Sequence, residues 1–312
     1  MNTKLFATLL GVLALLSASC KKEKPVKGED KPVIQSPYIK KVYEFKPAPG
    51  QFVNEGGDSD LAKTDILLGD VGKGVVSLGG YGGYIVFGFD HAIINATGLD
   101  LGIYSNPLIG VDMEFSEPGI VCVMQDVNKN GSPDDVWYEL AGSDYSASTT
   151  LKNYKITYYK PASLAHDIRW IDNQGKEGLI LRNMFHAQDY FPSWASGTEI
   201  SYTGTLVRNT LTLGDIITNK PLRTGYSDNG SSEYVSFQEQ FGRGYNTFDI
   251  DWAVNDNGDK VSLTSIDFVK VYTAQNCNGN LFSPDLNNER SRYVGEISTE
   301  IAGAVDLKLI KK

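Results

Sequence analysis

The sequence has few of the residues and motifs on which most enzymes depend. Its 312 residues include only three histidines and three cysteines. It has no His-Glu-x-x-His zinc motif, no Gly-x-Ser-x-Gly nucleophile elbow, and no glycine-rich phosphate loop between a strand and a helix. The sequence therefore favours a function other than catalysis. A secreted glycoside hydrolase is the alternative, because the two carboxylates of such an enzyme need not lie close in sequence.

The sequence also lacks a surplus of positive charge. It contains 29 Lys and Arg residues against 38 Asp and Glu residues, which gives a net charge of -9. Nucleic acids and anionic membrane surfaces are bound mainly through basic patches. We therefore expect neither of them as a direct partner, and contact with a membrane is expected through a lipid anchor only.

Long amphipathic helices are a third absence, because no long segment shows a clean 3.6-residue hydrophobic period. Short runs with alternating apolar and polar residues are frequent instead, and turn pairs such as Asn257-Gly258 separate them. The pattern predicts an all-β fold, a two-sheet jelly-roll-like sandwich with two related lobes as a variant. The predicted strands are residues 83–89, 101–104, 120–124, 137–140, 154–159, 199–203, 248–252 and 266–272.

The N-terminus contains the one long apolar run. Lys4 precedes the apolar residues 5–16, small residues occupy 17–19, and Cys20 follows. A charged start, a short apolar run and a small-residue end are typical of an export signal. The apolar run is too short for the alternative of an uncleaved membrane anchor. A cysteine at the cleavage point indicates a lipoprotein signal.

We therefore predict a signal peptide over residues 1–19, lipidation of Cys20, and a charged, flexible tether over residues 20–37. Residues 38–312 are predicted to form the β-sandwich ligand-binding domain. The predicted location is the outer membrane, at the cell surface, with the periplasmic face as the alternative.

The other two cysteines lie in different contexts. Cys122 is in an apolar run, and Cys277 is in a polar loop. A compartment outside the cytoplasm permits a disulfide between them. A buried strand thiol is the simpler expectation for Cys122.

Oxygen-bearing side chains alternate along residues 126–135, and Gly131 permits a sharp turn among them. Alternate residues of a tight loop can point inward to coordinate Ca²⁺, as in the first half of an EF-hand loop. Trp137 replaces the glutamate that closes such a loop, and Glu139 is a further candidate for that role. An asparagine-rich hairpin without metal is the alternative. The predicted ligands of a structural Ca²⁺ are Asp126, Asn128, Asn130, Asp134 and Asp135.

A second acidic cluster lies within residues 249–259. It can be interpreted as a cation site or as a hairpin turn at Asn257-Gly258, and the turn is the favoured interpretation. Its polar members are Asp249, Asp251, Asn255, Asp256, Asn257 and Asp259.

The segment 184–194 is rich in aromatic and polar residues and shows little strand pattern. Exposed aromatic faces beside neutral hydrogen-bonding groups can hold a sugar ring or a flat macrocycle. The alternative is that the aromatic rings close one end of the sandwich. The predicted ligand-binding residues are His186, Gln188, Tyr190 and Trp194.

Five segments carry a resemblance to a known family: residues 82–91, 116–121, 126–143, 248–254 and 266–272. Together they resemble the uncharacterised "cell surface protein" lipoproteins of Bacteroides and its relatives, over roughly residues 50–307. The resemblance implies that the gene lies near that of a TonB-dependent outer-membrane receptor, and for some members of the family in a locus for corrinoid (vitamin B12) capture. The resemblance implies non-catalytic capture of a corrinoid or glycan for such a receptor, beside other surface lipoproteins. A calcium-stabilised adhesive surface protein is the third interpretation.

Overall fold

The computed structural model describes residues 34–55, 61–110, 114–163, 166–182, 185–213, 216–236, 244–277 and 289–310. The predicted signal peptide, the predicted lipidation site Cys20 and most of the predicted tether lie outside the described residues. No helix within the described ranges is long and apolar enough to cross a membrane.

The described residues form eighteen strands, one short α-helix and two 3₁₀ helices. The 3₁₀ helices span Leu61–Leu67 and Ile250–Trp252, and helix α1 spans Glu289–Val294. The strands are β1 (Lys41–Lys46), β2 (Val76–Ser77), β3 (Tyr84–Ile94), β4 (Leu101–Ser105), β5 (Gly119–Met124), β6 (Tyr138–Leu140), β7 (Leu151–Tyr159), β8 (Ile168–Asp172), β9 (Glu177–Ile180), β10 (Glu199–Leu206), β11 (Leu211–Leu213), β12 (Ile217–Asn219), β13 (Val235–Ser236), β14 (Gly244–Phe248), β15 (Ala253–Val254), β16 (Ser265–Thr273), β17 (Glu300–Ile301) and β18 (Gly303–Asp306).

Two antiparallel sheets pack face to face around the largest hydrophobic core. The first sheet has six strands in the order β1-β3-β16-β5-β6-β15, and the second has four in the order β13-β14-β4-β18. Ile85 and Phe87 of the first sheet and Ile103 and Phe248 of the second are all fully buried in this core. Because successive side chains of a strand point to opposite faces, one set of alternate residues fills the core. The prediction of an all-β sandwich is confirmed.

A third sheet extends the architecture beyond the two predicted sheets. It has four strands in the order β10-β7-β8-β9 and a core of its own. Tyr154, Ile156 and Tyr158 of β7 alternate into that core, where they pack with Tyr81 and Tyr202. Tyr84 and Tyr272 project from the face of the six-stranded sheet that is turned away from the main core. We call this face the outer face.

One predicted strand, at residues 248–252, is wrong. Strand β14 ends at Phe248, and a 3₁₀ helix occupies Ile250–Trp252. The cause is Asp249, whose side chain accepts a hydrogen bond from the backbone N–H of Asp251 at 2.9 Å. An aspartate that caps a turn in this way competes with strand pairing, although the Phe-Asp-Ile-Asp-Trp sequence alternates.

The described chain joins the sandwich through residues 36–40. The Asp306 N–H donates to the carbonyl of Pro37, and the Lys40 N–H donates to the carbonyl of Gly88. Beside this junction the imidazole of His91, only 7% exposed, lies between two carboxylates. Its Nδ1 is 2.7 Å from Asp90, and its Nε2 is 3.0 Å from Asp306. Both ring nitrogens can donate only if the ring is protonated.

Stability is expected to depend on pH through His91. Burial alone lowers the pKa of His91, but the hydrogen bonds to Asp90 and Asp306 outweigh burial and raise the pKa above 6.5. Protonated His91 therefore contributes stability that is complete below about pH 6.5 and is lost as the pH rises through the folded pKa. His91→Gln should show a smaller loss of thermal stability than the parent between pH 6 and pH 8.5, measured by circular dichroism. The control is His166→Gln at an exposed histidine, and equal pH slopes for His91→Gln and the parent would contradict the assignment.

Candidate functional site

A cavity of about 600 Å³ opens beside strands β1 and β2. Its volume is in the range that encloses drug-sized ligands. Most of its wall is apolar, and the 3₁₀ helix Leu61–Leu67 forms one side of it. Its lining residues are Phe45, Pro47, Phe52, Val53, Asn54, Glu55, Ala62, Lys63, Ile66, Val75, Val76, Ser77 and Glu300.

The lining segment at residues 52–55 is held by Asn54. This residue has a left-handed backbone with φ of 60°, which asparagine tolerates better than most residues. Its side-chain amide donates to the carbonyls of Asp189 and Phe191 at 2.8 and 2.9 Å. The Asn54 side-chain oxygen accepts from the Ser193 N–H at 3.1 Å. One buried side chain therefore joins the cavity wall to the loop 185–195.

The predicted ligand loop lies directly behind this wall. The side-chain amide of Gln188 donates to the carbonyls of Gln51 and Val53. The ring of His186 meets Phe52 edge to face at a centroid distance of 4.8 Å, and its Nδ1 is 3.3 Å from a carboxylate oxygen of Glu55. His186 and Gln188 thus contact residues that line or adjoin the cavity.

The aromatic residues of the loop are more buried than a ligand platform requires. Tyr190 is fully buried and Phe191 is 2% exposed, and both pack in the core of the third sheet. The described geometry of these two rings agrees with the alternative that aromatic side chains close this end of the fold. Trp194 is half-buried, donates its indole N–H to the carbonyl of Pro47 at 3.0 Å and lies under the ammonium of Lys46.

Buried carboxyl groups lie beyond the cavity. The Glu300 N–H donates to Asp228 at 2.8 Å, and the Gln51 N–H donates to Glu296 at 2.8 Å. Burial raises the pKa of Glu296 to about 8 and holds the pKa of Asp228 well above its usual range.

The predicted calcium loop connects β5 to β6 and is folded by its own side chains. Asp126 accepts the N–H groups of Asn130 and Gly131 at 3.1 and 2.9 Å. Asp134 accepts the side-chain amides of Asn128 and Asn130, and these hydrogen bonds lower its pKa.

Asp135 accepts the N–H groups of Val127 and Asn128. The five predicted ligands therefore interact within one loop. Carboxylate and amide oxygens are hard donors of the kind that Ca²⁺ prefers. Oδ1 of Asp134 and Oδ2 of Asp135 already accept two hydrogen bonds each.

Two details qualify the sequence-based interpretation of this loop. Within the described residues, no three His, Cys, Asp or Glu side chains are gathered as metal ligands. The predicted set contains three aspartates, Asp126, Asp134 and Asp135, and in this structure these three are not gathered around one point. The suggestion that Glu139 closes the loop is wrong, because its carboxylate accepts from the hydroxyl of Thr205 on β10 at 2.6 Å instead.

The second acidic cluster has the geometry of turns. Asn255 accepts the N–H groups of Asn257 and Asp259, and Gly258 has a φ of 82°. Asp251 accepts the side-chain amide of Asn95. These contacts agree with the favoured interpretation of a hairpin.

The two cysteines retain their thiols and do not form a disulfide. Cys122 lies on the outer face of β5, where burial raises its pKa to about 12. Cys277 packs with Leu211 and Ile297 in a separate small core.

Trp194→Ala should destabilise the fold. The substitution removes half-buried aromatic surface and the hydrogen bond to Pro47, so we expect a loss of about 2–3 kcal/mol in the free energy of unfolding. Urea denaturation would measure it. Trp170 is also half-buried, but no hydrogen bond from its indole is described, so Trp170→Ala is the control and should cost less. A Trp194→Ala variant as stable as the parent would contradict this role and would return Trp194 to the candidate ligand surface.

Comparison with known proteins does not assign the chain to a family. No protein-family model matches the chain, and no curated protein matches it in a sequence search. The resemblance to the Bacteroides surface lipoproteins stays a prediction from the sequence.

Proposed function

We propose that the protein is an outer-membrane surface lipoprotein that captures a small amphipathic molecule without catalysis and passes it to a TonB-dependent receptor. The observation that carries the proposal is the apolar cavity of about 600 Å³ beside β1 and β2. The signal-like N-terminus ending at Cys20 supports membrane attachment. The family resemblance supports a corrinoid or a glycan as ligand.

The cavity favours a ligand with an apolar face. Phe45, Phe52 and Val76 supply apolar wall, while Glu55 and Lys63 supply polar groups at the same site. Burying apolar surface is the main source of affinity, and a few polar groups orient the ligand. Among the proposed ligands, a corrinoid would place part of its large apolar face against this wall, whereas a glycan has less apolar surface to bury there.

Filling the cavity should abolish capture. Ile66 is half-buried in the cavity wall, so Ile66→Trp places an indole where the ligand sits. We expect the purified parent chain to bind cyanocobalamin saturably in titration calorimetry and Ile66→Trp to bind about tenfold more weakly or worse, because a filled cavity removes the contact surface.

The matched control is Ile94→Trp, at a position on β3 that is 59% exposed and outside the cavity. It should bind as the parent does. Unchanged binding by Ile66→Trp would place the ligand elsewhere. Turnover of a glycan in parallel product analysis, or failure of the parent to bind corrinoids and glycans, would refute the proposed function.

We also propose that a structural Ca²⁺ binds Asp126, Asn128, Asn130, Asp134 and Asp135. The support is that hydrogen bonds join these residues within the loop that carries the chain from β5 to β6. A cation there would attract the three carboxylates of the loop. It would also fix the entry to β6, which carries Glu139.

Calcium should raise the melting temperature. A ligand that binds only the folded state at a hundredfold excess over its Kd stabilises it by about 2.7 kcal/mol. The test is differential scanning fluorimetry in Ca²⁺ and in chelator for the parent, Asp126→Asn and, as a control, Asp65→Asn at an exposed residue of the first 3₁₀ helix. The difference should vanish in Asp126→Asn and persist in Asp65→Asn. No difference in the parent would mean that the loop is only a hairpin.

A further inference from the structure

A separate polar cleft of about 170 Å³ lies where the third sheet meets the outer face of the six-stranded sheet. Glu139 of β6 and Lys270 of β16 line it from one side, and Lys152 of β7 and Thr205 of β10 line it from the other. None of these residues lines the apolar cavity. The volume equals that of about six water molecules in the liquid.

A β-bulge brings Lys152 to this cleft. Tyr154 pairs with Gly204 and Leu151 pairs with Leu206, so Lys152 and Asn153 together oppose the single residue Thr205. Asn153 has a φ of 54°, in the left-handed region. Bulges of this kind redirect side chains and are frequent beside functional sites. The strained backbone would be avoided if the strands only had to pair.

Glu139 and Lys152 form an ion pair in the cleft whose charged groups are close together but not within hydrogen-bond distance of each other. Oε2 of Glu139 accepts from the hydroxyl of Thr205 at 2.6 Å, whereas Oε1 lies 3.7 Å from Nζ of Lys152, beyond hydrogen-bond distance. Nζ of Lys152 donates to the same hydroxyl oxygen of Thr205 at 3.3 Å, and its other two N–H donors are not used in this bond. The ammonium of Lys152 also lies over the ring of Tyr145. The side chains of Glu139 and Lys152 are 17% and 36% exposed.

Burial works against both charges of the pair. It raises the pKa of Glu139 and lowers the pKa of Lys152, and each group partly offsets the shift of the other. An ion pair at a separation of 3.7 Å, with both side chains partly exposed, contributes little to stability. Perturbed groups of opposite sign in a cleft are more typical of a binding site.

We propose that this cleft binds one ring of a neutral sugar, with a ring hydroxyl between Oε1 of Glu139 and Nζ of Lys152. A hydroxyl can donate to the carboxylate and accept from the ammonium at the same time, and the 3.7 Å gap leaves both within its reach. Glu139 repels a ligand carboxylate, and Lys152 repels a ligand ammonium.

The rest of the cleft fits the same ligand class. Lys270 and Asp256 add one charge of each sign, so the cleft has no net charge to attract an ion. Trp137 supplies a flat apolar face for the C–H surface of a sugar ring, whereas the ring of Tyr145 is covered by the ammonium of Lys152. This inference does not depend on the apolar cavity or on its ligand.

Titration calorimetry with single sugars tests the proposal. The probes are glucose, galactose, mannose, fucose and N-acetylglucosamine, with glycine and inorganic phosphate as charged alternatives. At least one sugar should bind the purified parent chain saturably at millimolar concentration. Glu139→Gln should weaken that binding about tenfold or more, because the amide has one acceptor oxygen in place of two and the charge-assisted hydrogen bond from the sugar hydroxyl is lost. Lys152→Met, which keeps the aliphatic stem, should do the same.

The matched control is Glu177→Gln on β9, where the carboxylate is exposed and paired with Arg169. It should bind sugars as the parent does, and so should Ile66→Trp, which separates this site from the apolar cavity. If Glu139→Gln fails to fold, the Lys152→Met variant alone tests the proposal. Saturable binding of glycine or phosphate in place of sugars, no sugar binding by the parent, or unchanged affinity in a folded Glu139→Gln or Lys152→Met variant overturns the proposal.

Discussion

The six-stranded sheet is covered on both faces, and the rest of the architecture depends on this double burial. Its central strands β3, β16 and β5 direct residues such as Phe87 into the main core, while Tyr84 and Tyr272 project from the outer face. Since a strand alternates its side chains, aromatic residues on both sides require a layer on both sides. The four-stranded sheet β13-β14-β4-β18 covers one face, and the third sheet covers part of the other.

Glycines set how closely the third sheet approaches this outer face. A side chain at Gly82, with φ of 85°, would meet the ring of Tyr202, and one at Gly204 would lie 2.9 Å from the Tyr272 hydroxyl. The sheets therefore come close only where a side chain is missing. Beyond the pair of Gly204 and Tyr154, the β-bulge in β7 interrupts the regular pairing with β10, and the polar cleft lies at this point. The close approach of the third sheet and the cleft therefore lie side by side, and both depend on how β7 pairs with β10.

Period-two alternation predicted the fold class and most central strands, because these strands are long and their partners impose one register. It failed at residues 248–252, where a local hydrogen bond of Asp249 ended the strand. The alternation of oxygen-bearing side chains along residues 126–135 could be seen in the sequence. The contacts of His186 and Gln188 and the burial of Tyr190 could not, because they depend on which distant segment covers the loop. The cavity was missed because its lining combines residues 45–77 with Glu300, and no local pattern links them. The cleft was missed because a bulge depends on pairing between strands.

Left-handed asparagines occur at both candidate sites. Asn54 lines the cavity with φ of 60°, and Asn153 lines the cleft with φ of 54°. A non-glycine residue keeps such a backbone only where its surroundings compensate for the strain, as the three hydrogen bonds of Asn54 do. A wall fixed in this way has little freedom left to lose when a ligand arrives. Since ordering of loops and side chains is a major cost of association, the fixed wall around Asn54 would favour binding by preorganisation over closure around a ligand at the proposed cavity site.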